Sequence, residues 1–283
     1  MSAPTGNIKV EFDERARGTI ARVTIDNERK LNTLDSSLMT RFVEEIEALG
    51  RLEPLRAIVL SGAGARAFIG GADIGEMAAL DETSARVFIT RVHACCDCLR
   101  RLNVPVIARI EGYALGAGME VAASCDLRIA SEGATFGMPE VKLGIPSVVE
   151  AALLPMLVGW GRTRQMLLLG QNFTAAQALE WGFVERVAPP GALDAAVAEW
   201  LEALLACPPH AIRLQKRLIN DWERLSPPAA VQAGIDAFVA AWRSDEPKLA
   251  MQEFLAMKAA RERKSALDQR RDLDREPGSA GGV

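Results

Sequence analysis

The chain has 283 residues, 49% of them apolar and 25% charged, enough to bury a large core in one domain or in a domain with an appendage. A net charge of −4, without a stripe of Lys and Arg interleaved with aromatics, argues against nucleic acid as a partner. No run reaches the roughly 18 apolar residues of a membrane span, and the first residues lack the basic and apolar regions of a secretory leader, so a cytoplasmic protein with no membrane partner is expected.

In chain order, residues 19–26, 57–61, 104–110 and 126–130 are short, mostly β-branched apolar runs that end in polar or glycine punctuation, and they read as strands. Between them residues 36–51, 84–102 and 118–124 carry helical periodicity, so the order of elements predicts an α/β core with crossover connections. From about residue 155 the pattern is almost wholly helical, with segments at 160–169, 174–181, 193–205, 209–222 and 228–242. Thr174 followed three residues later by Gln177 has the form of a capping box. Residues 265–283 are dense in charge and then in small residues, with too few apolar groups to offset ordering entropy, and a disordered tail is expected there.

Five cysteines at irregular spacing make a poor disulfide framework, so reduced thiols are expected. His93 beside Cys95, Cys96 and Cys98 invites a metal reading, but paired Cys-x-x-Cys units are missing and the segment is helical in period. Small apolar helix positions are the preferred reading, and no metal is expected.

Three loops carry the chemistry. Ala67-Phe-Ile-Gly-Gly-Ala-Asp-Ile-Gly-Glu-Met77 holds two adjacent residues without Cβ, Gly70 and Gly71, whose backbone can approach a ligand closely. Gly112-Tyr-Ala-Leu-Gly-Ala-Gly-Met-Glu120 leads from a strand into an apolar helix, and Ala117 at that helix start is placed to offer an orphan N–H. Two such amides on one oxygen would make an oxyanion hole. Glu120, and Glu140 in Thr135-Phe-Gly-Met-Pro-Glu140, lie in apolar surroundings where a lone solvated carboxylate is rare, and they read as an acid/base pair. The combination predicts chemistry beside a polarised carbonyl.

These residues resemble the enoyl-CoA hydratase/isomerase family, the crotonases, over about residues 19–258. The resemblance implies an α/β spiral of ββα units as a catalytic core over residues 1–195. A helical region over 196–264 would cover the active site and support a homotrimer or dimer of trimers. It implies that Gly70 and Ala117 donate to a thioester oxygen, and that Glu120 and Glu140 are the catalytic pair. Glu120 would take a proton from water while Glu140 delivers one to Cα, in syn hydration of a trans-2-enoyl-CoA to a 3-hydroxyacyl-CoA. Substrate or CoA contacts are implied at Arg29, Lys30 and Leu31 in the segment 26–34. Further contacts are implied at Gly71, Ala72, Asp73 and Ile74, and at Gly116, Ser147, Phe254 and Lys258. The partner is an acyl-CoA thioester, and no cofactor is implied beyond the CoA that belongs to the substrate.

The chain departs from the family pattern after Glu140, where Ile145-Pro-Ser-Val-Val-Glu-Ala-Ala-Leu-Leu-Pro155 replaces a glycine-rich stretch. Ser147 stands where many hydratases have Gly. Glu150 could be a third acid, a pocket-wall charge or a helix N-terminal residue favoured by the dipole, and the last is the preferred reading. Met257 stands in place of the usual lysine. A double-bond isomerase or specialised dehydratase with the same oxyanion hole, and a silent CoA-binding member, are the alternative readings.

Overall fold

The computed structural model describes residues 6–273, with side chains through residue 263. The chain forms two compact units that divide after Asn220. In the first unit the strands are β1 (Asn7–Arg15), β2 (Gly18–Asp26), β3 (Leu55–Gly62), β4 (Ala67–Ile69), β5 (Val106–Ile110), β6 (Tyr113–Leu115), β7 (Leu127–Ser131), β8 (Thr135–Gly137), β9 (Asn172–Thr174) and β10 (Arg186–Ala188). Its helices are α1 (Ser36–Leu49), α2 (Ile74–Met77), α3 (Glu82–Arg101), α4 (Ala117–Ala123), α5 (Leu154–Leu169), α6 (Ala175–Glu180), α7 (Leu193–Ala206) and most of α8 (Pro209–Trp222). The second unit holds α9 (Pro227–Ala241) and α10 (Glu246–Leu273). The helix α10 runs past residue 265, and residues 274–283 of the expected tail lie outside the described residues.

Strands β1, β2, β3, β5, β7 and β10 form a six-stranded sheet in that order, and β4, β6, β8 and β9 form a second of four. The β1–β2 hairpin is antiparallel and the rest of the large sheet is parallel. After β3, β5 and β7 the chain makes a few residues of turn, adds a short strand to the small sheet and then turns helical. These are the ββα units of the expected spiral. Each turn of the spiral brings a loop after a short strand to the same neighbourhood, which is how segments distant in sequence come to share one site.

The runs of β-branched residues are continuous because the large sheet is buried on both faces. Along β3, Ile58 and Leu60 point into the main core with Phe42, Phe68, Phe136 and Phe183. Ala57 and Val59 point the other way, with Ile20, Ile107 and Ile129, against Leu193, Val197 and Leu201 of α7. The first strand, β1, is absent from the strands expected above, although its alternation of Ile8, Val10 and Phe12 with polar or charged residues is the pattern of an edge strand whose outer side is wet.

One buried cation ties α8 to this sheet. Lys216 is 4% exposed, and its ammonium donates to the carbonyls of Leu99 (3.0 Å) and Val104 (2.9 Å) and to Asp126 Oδ2 (2.8 Å). All three protons are used. The same Asp126 oxygen accepts from the Val106 amide at 2.7 Å, so the contact fixes the start of β5 as well. Lys216→Met keeps much of the volume but leaves these acceptors facing an apolar group. It is expected to lower unfolding free energy by on the order of 3 kcal/mol in urea denaturation.

Candidate active site

The first loop follows β4. The Gly70 N–H donates to Leu31 O at 2.8 Å, the Leu34 N–H to Gly71 O at 2.9 Å, and the Asp73 N–H to Leu34 O at 2.9 Å. This corrects the expectation for Gly70. Its amide is already committed to Leu31, and the glycine is needed because a Cβ would sit 2.8 Å from the Leu31 carbonyl oxygen. In the parallel bridge of Leu34 with Ala72 both bonds of Leu34 go to Gly71 and Asp73. The Ala72 amide therefore faces away from Leu34 and has no partner among the described residues.

Several expected contact residues serve to hold this loop. Leu31 and Asn32 both have φ of +56°, and the buried Asn32 amide donates to the carbonyls of Ala63 (3.0 Å) and Ala67 (2.7 Å). Asp73 caps α2 by accepting from the Glu76 N–H at 3.0 Å. Its other oxygen accepts from Lys30 Nζ at 2.8 Å, and that ion pair is the main reason its carboxyl stays below the usual range. Arg29 is exposed on the turn Glu28–Lys30.

The second loop enters α4 through Gly116, whose φ of +51° and ψ of −121° suit only glycine. Ala117 begins the helix, and its N–H has no acceptor among the described residues, as expected of a first-turn amide. Glu120, one turn on, is 4% exposed and accepts from the Ala151 N–H at 3.3 Å. Burial first, and the Glu140 carboxylate second, push its pKa up to about 8. Glu140 opens the turn Glu140–Leu143 and accepts from the Ser147 hydroxyl at 2.7 Å. It lies beside the second loop, since a Cβ on Gly116 would come within 2.5 Å of Glu140 Oε1.

These loops border one cavity of about 680 Å³, lined by Gly70, Gly71, Ala72, Ala117, Glu120 and Glu140 at its polar part. Its apolar walls come from α2 and α3, with Met77, Phe88 and Val92, and from the loop after Glu140, with Leu143 and Val148. Ile74 and Gly116 also border it; Ser147 does not, and reaches the site through Glu140. Phe254 and Lys258 are exposed on α10 in the second unit.

Glu150 stands in the first turn of a short helix, as expected, and is buried there. It is 8% exposed on the turn Val149–Leu153, with Oε1 2.7 Å from His93 Nδ1. His93 thus bonds to a carboxyl, while burial pushes the Cys96 thiol well above its ordinary range. Among the described residues no cluster of three or more His, Cys, Asp or Glu could hold a metal ion. Nothing in the sequence marks the amide of Ala72 over that of Gly70, because the choice is made by pairing with Leu34 across the chain.

The buried Glu120 links stability to pH. Below its ordinary value of 4.5 both folded and unfolded chains hold the proton. Between there and about 8 the unfolded chain releases a proton that the folded chain keeps, so stability is lost at up to about 1.4 kcal/mol per pH unit. Glu120→Gln removes this dependence. Calorimetry should find the variant more heat-stable than the wild type at pH 8, and the gap should close as pH falls toward 4.5.

The chain that builds this site matches an established group of proteins. Residues 15–261 match the enoyl-CoA hydratase/isomerase family. The chain is 35% identical over 239 residues to the short-chain-enoyl-CoA hydratase of Clostridium acetobutylicum, covering 84% of this chain and 92% of that one. It is 31% identical over 255 residues to the crotonyl-CoA hydratase of Syntrophomonas wolfei, covering 90% and 96%. The crystal structure of an enoyl-CoA hydratase from Bacillus anthracis superposes with a TM-score of 0.83 at 29% identity, over 89% of this chain and 96% of that one. An enoyl-CoA hydratase from Mycobacterium smegmatis gives 0.84 at 26% identity, over 90% and 97%. The chain belongs to the enoyl-CoA hydratase/isomerase family and is an enzyme, a hydro-lyase acting as an enoyl-CoA hydratase.

Proposed function

We propose that the amides of Ala72 and Ala117 hold the thioester oxygen of a trans-2-enoyl-CoA while Glu120 and Glu140 carry out syn addition of water. The single observation that carries this reading is that the two unpartnered amides and both glutamates border one cavity. Negative charge collects on the thioester oxygen as water attacks Cβ, and two preorganised donors stabilise it more than the ground-state carbonyl. Loss of one such donor typically costs about 100 to 1,000-fold in rate.

Hydration needs one carboxylate to take a proton from water and one carboxyl to give a proton to Cα. The proton that burial keeps on Glu120 meets that need for the pair as a unit. Glu120 is the base and Glu140 the acid in the assignment proposed, so the proton must pass from one to the other before attack. The Ser147 hydroxyl orients Glu140 for delivery. In dehydration the roles reverse.

The test is loss of the conjugated enoyl-thioester absorbance with crotonyl-CoA, where an inactive wild type would sink the reading. Glu120→Gln and Glu140→Gln should each lower kcat by at least about 100-fold with CoA-ester binding retained, because an amide keeps the shape but exchanges no proton. In the wild type kcat/KM should fall above pH 8, where Glu120 loses its proton and no acid remains.

The substrate class follows from the loop that replaces the glycines. Val148 borders the cavity, whereas Val149 packs against the main core. On this reading Val148 and Leu143 limit the acyl chain, and short or branched chains are preferred. A buried methylene is worth about 0.8 kcal/mol, while a clash costs about 1–3. Comparison of crotonyl-, decenoyl- and hexadecenoyl-CoA should show kcat/KM falling with length, and Val148→Gly should flatten the fall. A rise with length in the wild type would defeat this.

The second unit exposes Val231, Ile235, Phe238 and Val239 on α9 and Leu249, Phe254 and Leu255 on α10, which supports self-association as a homotrimer or dimer of trimers. Five free cysteines accord with the cytoplasmic address.

A further inference from the structure

Two walls of the cavity are tied to each other by a single side-chain bond. Val148 borders the cavity from the loop after Glu140, and Phe88, Ile89 and Val92 border it from α3. His93 follows Val92 on α3, and Glu150 stands two residues after Val148. His93 Nδ1 lies 2.7 Å from Glu150 Oε1, a hydrogen bond in either tautomer of the ring. Neither His93 nor Glu150 borders the cavity. The bond therefore joins the two walls without entering the space a substrate would fill.

Two features of the turn Val149–Leu153 make this bond decisive. Only 10% of the Glu150 side chain is exposed, and its other oxygen, Oε2, is buried with no partner among the described residues. Without His93 both oxygens would be buried and unpaired, a cost that the carboxyl relieves by turning out to water. Val149, just before it, holds a φ of +38°, which strains a β-branched residue. Relaxation of that residue turns the backbone between Val148 and Glu150, so both forces act on the same segment. His93 resists them from a 20-residue helix that is capped by Asp81 and packed into the main core through Phe88, Val92, Cys95 and Leu99. Helix α3 is the fixed partner, and the turn is the part that yields.

We infer that the His93–Glu150 bond is a clasp that fixes the width of the acyl part of the cavity, and that both are positioning residues for chain-length selection. The inference rests on the reading of this cavity as an acyl-CoA site. With the clasp closed, Val148 stands at its wall and long acyl chains are rejected. With it open the turn relaxes, Val148 withdraws, and the clash that added methylenes meet is lost. The Ala151 N–H donates to Glu120 at 3.3 Å from the same turn, so the open form also holds that carboxyl less firmly. Rate falls for this second reason as well, and selectivity is therefore the quantity that reports on the clasp.

The test compares binding of butyryl-CoA and decanoyl-CoA, saturated thioesters that offer no double bond to hydrate, to the full chain by calorimetry. The ratio of the two Kd values needs no turnover and is independent of the fraction of active protein. It reads the clasp even in a chain that leaves crotonyl-CoA unchanged, a result that would count against the hydratase reading alone. His93→Phe keeps a ring and loses the bond, and it should shift the ratio about tenfold toward decanoyl-CoA. His93→Asn places a side-chain amide near the position of Nδ1, keeps a bond to Glu150, and should hold the wild-type ratio. In a Val148→Gly background the wall is already gone, and His93→Phe should change the ratio less than about twofold. A wild-type ratio in His93→Phe overturns the clasp. So does an equal shift in His93→Asn and His93→Phe, or the full shift in the Val148→Gly background. With 52% of its side chain exposed, His93 can be replaced without opening the core, which keeps these variants folded.

Discussion

Helix α4 lies so close to strand β4 that a Cβ on Gly118 would sit 2.1 Å from the Ile69 carbonyl oxygen. That approach sets the site. It places the first turn of α4, with the amide of Ala117, against the loop that begins at Gly70. Gly116 does the same on the other side, where a Cβ would meet the Glu140 carboxyl at 2.5 Å. A side chain at either position would push apart groups that border one cavity. Interlocking strands, each delivered by its own ββα unit, hold that spacing with backbone contacts rather than with flexible side chains.

Close approach brings an electrostatic cost that the protonation state absorbs. Two ionised carboxyls at the edge of an apolar cavity repel each other and lack water, so the more buried of them keeps its proton. The same burial that keeps a proton on Glu120 weakens the fold at high pH. Stability and chemistry pull in opposite directions at Glu120, as expected where a fold carries an active group rather than a structural one. Around it Asp73 pairs with Lys30, and Glu140 accepts from the Ser147 hydroxyl.

The sequence made legible what depends on local pattern. The parallel strands β2, β3, β5 and β7 and the helices α1 and α3 follow from apolar runs and their periods, and the helix start at Ala117 follows from glycines before an apolar stretch. The short strands β4, β6, β8 and β9, three residues each, left no pattern long enough to read. Gly70 shows the limit at the site. Adjacent glycines mark a close backbone approach, but only the pairing of Leu31 and Leu34 with the loop decides which amide is used up and which stays open. Glu150 shows the same limit for charge. Its place before an apolar helix looked like a dipole contact, but its turn is buried against α3, α4 and α5 and it bonds to His93, fifty-seven residues earlier.

The loop between Glu140 and α5 touches both the cavity and the core. Val149 has a φ of +38°, a conformation that costs a β-branched residue on the order of 1–3 kcal/mol. The glycines usual at such a place would adopt it freely. Here the strain is held by Val149 packing on the main core and by the Ala151 N–H donating to Val148 O at 2.9 Å. Its effect is to aim consecutive residues in different directions: Val148 to the cavity, Val149 to the core, Glu150 toward His93, and the Ala151 amide toward Glu120. A glycine-rich loop could leave room for a substrate but could not supply a wall, an anchor and a carboxyl from successive positions. Strain at one residue is thus what lets a single turn shape the cavity on one side and touch Glu120 on the other.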